Sequence, residues 1–301
     1  MNNSREIKSR IKSVGNIFKV TKAMGAIAAS RMRKAQMQTF NARPYIQRSM
    51  EILAFLRFYG FRAEQFPLIS EREVKKIGVI LITPDKGLSG ALIPNLLKTA
   101  LNFKQDEEKK GKKPSFIVIG KKGESFLKRI KAEILAIFPD KSVWKLTDVS
   151  PIHKLIMSSF LAGEFDLVTV IYSNFISPLR QEAIVRPILP LTQDNLEKLL
   201  ETRRLDEILH KTKYPLLYQV EPKVDIIIKE LIPHLIKTGL YYLLLETKAS
   251  EYSARMLAME NARKNADELI KDLVFNYNQI RQASITNQIA EIVGGKAAIE
   301  E

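Results

Sequence analysis

VTKAMGAIAASRMRKAQ, residues 20–36, keeps the rhythm of an α-helix while giving up the bulk that a helix normally buries. Between Ala23 and Ser30, six of eight residues are Ala, Gly or Ser, and Lys19, Lys22, Arg31, Arg33 and Lys34 crowd around them. So little apolar surface cannot hold a helix against a globular core. Small residues suit instead the close approach of a second helix. Gly15 and Gly25 each cost about 1 kcal/mol of helix propensity relative to Ala, which such a partner must offset.

Outward from this stretch, only Pro44 interrupts the helical pattern between Ser4 and about Tyr59. Apolar or small residues recur at Ile7, Ile11, Val14, Phe18, Thr21, Gly25, Ala28, Met32 and Ala35, the steps of three and four that make a heptad seam. The pattern returns from Val224 to Val293, with Pro233 near its start and Ala262, Ala266, Leu269, Leu273, Tyr277, Ile280 and Ser284 on the seam. At 1.5 Å per residue, that second helix reaches roughly 100 Å, too long to bury its stripe inside one compact core. The two terminal helices are therefore expected to pair antiparallel, with residues near Val20 beside residues near Ile280.

The middle of the chain changes period. KIGVILIT (76–83), FIVIG (116–120), EILAIF (133–138) and FDLVTVIYSNF (165–175) read as short strands separated by helical stretches, and EAIVRPILPL (182–191) as an edge strand limited by its prolines. QDEEKKGKKP reads as a turn or loop. The expected fold is α/β: a long antiparallel coiled coil of N- and C-terminal helices plus a central Rossmann-like α/β domain. The expected division is a coiled-coil helix over 1–62, the α/β domain over 74–192, a linker or excursion over 193–222, and a second coiled-coil helix over 223–301.

Charge follows this division. Residues 1–62 carry 13 Lys and Arg against two acids, a net of +11, whereas residues 216–301 carry 10 against 12. The basic stripe suits nucleic acid, an anionic membrane or an acidic protein surface. Aromatics are not interleaved with it, which disfavours a nucleic-acid adaptor. The chain has no cysteine, and His153, His210 and His234 are far apart in sequence, so disulfides, thiolate metal sites and cysteine nucleophiles are excluded and no metal-ligand spacing is found. No apolar run approaches the ~20 residues that span a bilayer, and the opening MNNSREIKSR is polar, so a cytoplasmic chain is expected. TPDKGLSGAL sits where a phosphate loop would, between a strand and a helix, but completes neither GxGxxG nor GxxxxGK[ST]. It reads as a turn that caps the following helix and exposes Lys86. Gly294 and Gly295 read as a helix stop. No cofactor is expected.

IKSRIKSVGNIFKVTKAMGAIAASRMRKAQ and ASEYSARMLAMENARKNADELIKDLVFNYNQIRQASITNQIAEIVGG resemble the opening and closing helices of the gamma subunit of F-type ATP synthase, bacterial type; DKGLSGAL, FDLVTVIYSNF and ILPL extend the resemblance through a looser middle. The resemblance implies a non-catalytic rotary shaft, one copy inside three alpha and three beta subunits, with its α/β foot against the epsilon subunit and the c ring. It implies a peripheral place at the cytoplasmic face of the bacterial cell membrane and no nucleic-acid partner. From the TKAM and RQASIT segments it implies beta-subunit contacts at Lys22, Met24, Arg281, Gln282 and Thr286. Lys19, Arg31, Arg33 and Lys34 would face an acidic beta-subunit loop. The ARPY segment and a Y..EP segment of altered spacing would place Arg43, Tyr45, Tyr218 and Glu221 at the c ring or epsilon.

Overall fold

The computed structural model describes residues 2–56, 66–192, 195 and 220–297. Most of the expected linker over 193–222 therefore lies outside the described residues. In chain order the elements are α1 (Asn2–Leu56), β1 (Lys76–Ile82), α2 (Leu92–Lys109), β2 (Lys113–Ile119), α3 (Lys121–Arg129), β3 (Ile134–Phe138), a 3₁₀ turn (Leu146–Val149), α4 (Ser150–Leu161), β4 (Leu167–Ser177), β5 (Arg180–Leu189) and α5 (Val224–Ala297). Both long helices run through their prolines, Pro44 and Pro233. Three local expectations are corrected. The QDEEK half of the charged run is the end of α2, where Lys104 pairs with Glu108 at 2.6 Å, and the turn is confined to Lys110–Lys112 around Gly111 at φ +76°. α5 continues through Gly294 and Gly295 to Ala297. The turn before α2 offers no side-chain cap, and the first amide of the helix, Leu92 N–H, donates to the Ser89 carbonyl instead.

Two compact units make up the chain, one of residues 30–254 and the other of residues 1–29 with 255–301. The first is built on a five-stranded sheet of order β3-β2-β1-β4-β5. β1, β2, β3 and β4 are mutually parallel, and β5 returns antiparallel along β4 as the edge strand that its prolines allow. Strand period sorts the core into two layers. From β1, Ile77, Val79 and Leu81 pack with Leu92, Leu96 and Ala100 of α2 and Leu127 of α3. Ile80 and Ile82 point the other way, into a layer that holds Ile152, Ile156 and Phe160 of α4 and Ile232, Leu235, Ile236, Leu240 and Leu243 of α5. Gly78 lets the Phe165 ring reach the strand, since a Cβ there would stand 2.9 Å from it.

The second unit is a helix pair. Gly25 of α1 lies against Met259 of α5, a Cβ at Gly25 being 3.6 Å from that of Met259, and the Arg263 guanidinium sits 5.8 Å from the Phe18 ring centroid. Rising numbers on one helix meet falling numbers on the other, so the pair is antiparallel. On α1 the seam positions Ile7, Ile11, Val14, Phe18 and Gly25 are half-buried and Thr21 and Ala28 buried. On α5, Ala266 is buried and Ala262, Leu273, Tyr277 and Ile280 half-buried. The seam departs from expectation at Ser284, which is exposed, and at Leu269, which is 47% exposed while Ile270 turns inward. The register of the pair also differs from that expected. Phe18 meets Arg263, whereas Ile280 lies 17 residues farther along α5, about 25 Å. A heptad fixes which face pairs and leaves the axial offset open.

Candidate functional site

Four surfaces carry the candidate residues. Within the helix pair, the Thr21 hydroxyl donates back to the Ile17 carbonyl at 2.9 Å, so a polar seam residue is satisfied without a partner across the interface. With Gly25 and Ala28 on the inner face, Ala23 and Ala26 lie exposed on the outer one. The small residues thus divide between two tasks, close approach inside and a slim surface outside. Lys19 and Lys22 are exposed beside this smooth outer face, and Met24 is half-buried at its edge.

In the other unit, Arg31, Arg33 and Lys34 are likewise exposed. Arg31 lies over the Tyr252 ring at 5.7 Å, so its charge is held by a cation–π contact.

Toward the end of α5, every residue from Arg281 to Ala290 is exposed. Arg281, Gln282 and Thr286 are among them, with the Thr286 hydroxyl donating to the Gln282 carbonyl at 3.0 Å. Ile285 and Ile289 are 47% and 57% exposed on the same segment.

Of the remaining candidates, Tyr45 is exposed and meets the His234 ring edge-on, 5.6 Å between centroids at 72°. Glu221 is exposed just ahead of α5. The Arg43 side chain and Tyr218 lie outside the described residues.

The sheet order places its switch point between β1 and β4, where the chain turns from one side of β1 to the other, and ligands of such folds enter at the carboxyl ends of those strands. Near that edge of the sheet α5 bonds to residues beyond β3, on β4 and in the β4–β5 turn. Ser250, fully buried, donates to the Ser173 carbonyl of β4 at 2.9 Å, and Ser253 donates to the Pro178 carbonyl in the β4–β5 turn at 2.7 Å. Tyr252 donates to the Ser142 carbonyl at 3.0 Å. Lys248 reaches Asp140, just beyond β3, at 2.5 Å and Glu251 at 2.7 Å. Burial pushes the Lys248 ammonium down, and the two carboxylates more than reverse this, leaving its pKa above the ordinary lysine value. Burial pushes the Asp140 carboxyl up, and the Lys248 charge recovers only part of that. None of these residues is among the candidates that the sequence suggests. Their signal lies in LLLETKASEYSA, where Lys and Glu three apart interrupt a run otherwise fit for a core.

Comparison with known proteins agrees with this architecture. A family model described as ATP synthase matches residues 3–299. The ATP synthase gamma chain of Methylobacillus flagellatus is 38% identical over 99% of this chain and all of its own, and that of Ralstonia nicotianae is 39% identical with the same coverage. The gamma chain of Roseiflexus castenholzii is 35% identical over the full length of both. Among solved structures, a chain of the Euglena gracilis mitochondrial ATP synthase (OSCP/F1/c-ring, rotational state 3) superposes with a TM-score of 0.65 at 16% identity, over 99% of this chain and 95% of that one. A chain from the central stalk/c-ring structure of the Tetrahymena thermophila mitochondrial ATP synthase gives 0.58 at 22% identity, over 81% and 99%.

Proposed function

We infer the role of this chain from one premise: it belongs to the ATP synthase gamma-chain family. Its function is that of a central-stalk subunit of the rotary ATP synthase. The observation that carries this is identity of 35–39% sustained across essentially the whole of both chains. The alternative of a basic nucleic-acid adaptor finds no support in any of these relatives.

The proposed assembly is one copy of this chain with three alpha and three beta subunits, the epsilon subunit and the c ring. The chain would lie peripherally at the cytoplasmic face of a bacterial membrane. Among the described residues no helix is long and apolar enough to cross one. We assign nucleotide chemistry to the beta subunits and none to this chain, and we retain the division into helix (1–62), α/β foot (74–192), linker (193–222) and helix (223–301) as a working description.

Mechanism follows from differential contact. A ligand moves a conformational equilibrium only by as much as it prefers one state over another. A single helix pair set among three beta subunits meets each of them differently, so it acts as one ligand with three different affinities. Turning it by ion flow through the c ring would move each catalytic site through its states in sequence. By linkage, nucleotide occupancy would bias the angle of the pair in return. Exposed Arg281, Gln282 and Thr286, with Lys22 and Met24, would supply the contacts that change with angle. Lys19, Arg31, Arg33 and Lys34 would face an acidic beta-subunit loop, where complementary charge guides docking more than it fixes affinity. Arg43, Tyr45, Tyr218 and Glu221 would meet the c ring or epsilon.

The test is reconstitution of this chain with alpha and beta subunits, with a bead attached to the foot. The expected results are one copy per particle and ATP-driven rotation in one sense. Particles that hydrolyse ATP at full rate without this chain turning would refute the assignment. In the same particles, Arg281→Ala with Gln282→Ala and Thr286→Ala should lower ATPase turnover, and unchanged turnover and torque would remove those contact roles.

A further inference from the structure

We propose that Lys248 and Asp140 form a torque-bearing pin, a pair of positioning residues that fixes α5 against the carboxyl edge of the sheet so that force on the α/β foot reaches the helix without slip. This rests on the function inferred above. Most of the contact between α5 and the sheet is apolar, through Ile232, Leu235, Leu240, Leu243 and their neighbours. The hydrophobic effect is non-directional, so burial alone favours no one rotation of the helix over another that buries as much. Resistance to turning must come from contacts with fixed geometry, of which charge-assisted hydrogen bonds are the strongest.

The polar contacts of residues 248–253 supply that geometry: beyond β3 at Asp140 and Ser142, on β4 at Ser173, in the β4–β5 turn at Pro178, and on β5, where the Gln181 amide donates to the Ser253 hydroxyl at 3.4 Å. Those to Ser142, Ser173 and Pro178 end on backbone carbonyls, and they and the Gln181 bond are neutral. The Lys248–Asp140 bond joins two ions, with the side chains 6% and 9% exposed, and it spans 108 residues of sequence. Glu251, one turn on from Lys248 and 6% exposed, accepts a second hydrogen bond from the same ammonium, so the lysine cannot swing away without losing both. A buried ion pair is a poor source of net stability compared with apolar packing. Its presence in a contact already rich in leucine therefore calls for another role, and fixing orientation is the one that the geometry serves.

The test uses the complete synthase in inverted membrane vesicles, reading ATP-driven proton uptake and ATP hydrolysis on the same preparation. Asp140→Asn removes one ion and leaves the Lys248–Glu251 pair, and Lys248→Met removes the cation. The expected result is a fall in protons moved per ATP of about two- to thirty-fold, the range for residues that carry coupling between sites. Hydrolysis by the detached soluble particle should change little, and Lys248→Arg should recover most of the ratio. An unchanged ratio in Asp140→Asn overturns the pin, as does a Lys248→Arg variant no better than Lys248→Met. Should Lys248→Met fail to assemble, Asp140→Asn and Lys248→Arg decide the matter alone. Vesicles carrying the unaltered chain that hydrolyse ATP but move no protons would instead overturn the function on which the pin rests.

Discussion

The two glycines of α1 that face different surroundings give a controlled test of how closely the helices approach. At Gly25 a Cβ would stand 3.6 Å from the Met259 Cβ, an ordinary contact, whereas at Gly15 nothing lies within 4 Å. Alanine fits both positions, and each Gly→Ala change should gain about 0.8–1 kcal/mol from helix propensity. For a chain of this size that is a rise of about 1–2 °C in melting temperature. Leucine separates them. At position 15 it meets open space and should keep most of the propensity gain. At position 25 its branch has to enter a gap already closed at Cβ, and overpacking of about 1–3 kcal/mol should exceed the gain. Thermal and urea unfolding of the full chain, followed by far-UV circular dichroism, would rank Gly25→Ala above the parent and Gly25→Leu below it, with Gly15→Leu close to Gly15→Ala. If Gly25→Leu matched Gly25→Ala, the helices would not be held at this spacing, and the account of why small residues line α1 would fail.

Gly120 should tolerate nothing larger: its φ is +94° and a Cβ would lie 1.9 Å from the Thr83 carbonyl oxygen, so Gly120→Ala should cost at least about 3 kcal/mol in denaturant titration. Gly111→Ala, at φ +76° with open space around it, should cost only about 1–2 kcal/mol. Asp166 supplies a pH prediction. Burial pushes its carboxyl up, but the Lys76 and Lys75 amides at 2.8 and 2.9 Å and the Arg72 guanidinium at 3.4 Å overcome this and hold its pKa below the ordinary aspartate value. A carboxylate depressed in the fold contributes stability that is present above its unfolded pKa and is lost as pH falls through the folded one. Asp166→Asn should therefore be less stable than the parent by about 1–3 kcal/mol at neutral pH, with the gap closing in strong acid; a gap independent of pH would refute the assignment. Reversing Lys22, Arg33 and Lys34 to Glu should slow assembly with alpha and beta subunits and weaken its dependence on salt, as measured by stopped-flow mixing at two ionic strengths.

Much of the architecture can be read from periodicity, because the seam residues of α1 and the alternation of β1 are direct records of which side is buried. Thr21, Ala28, Met32 and Ala35, which spacing places on the seam, are all buried. Legibility fails where the deciding quantity is relational. The offset between α1 and α5 is set by which small residue nests against which large one, Gly25 against Met259, and no heptad count contains it. Spacing favours Leu269 for the seam, yet the helix turns Ile270 inward instead, a one-residue ambiguity that two adjacent apolar residues always leave. Proline is a weaker breaker here than its local chemistry suggests, since Pro44 and Pro233 sit in helices long enough for the surrounding turns to carry the loss of one bond. The surface candidates are reached only through resemblance, because exposed Lys and Arg have no periodic signature of purpose.

The least legible feature is the one with most consequence for how the fold is used. A sheet of this order has a crevice at its switch point, and a sequence reader tests that place for glycine-rich phosphate loops. The helix that bonds to this edge of the sheet begins 35 residues after β5 ends, so no local pattern around TPDKGLSGAL could announce it. Lys248, Ser250, Tyr252 and Ser253 donate to three carbonyls and a carboxylate along it. The buried serines and lysine that α5 sets against this edge fit the pin proposed above: directional contacts at the edge are what a part transmitting force requires, while apolar layers beneath bury the helix.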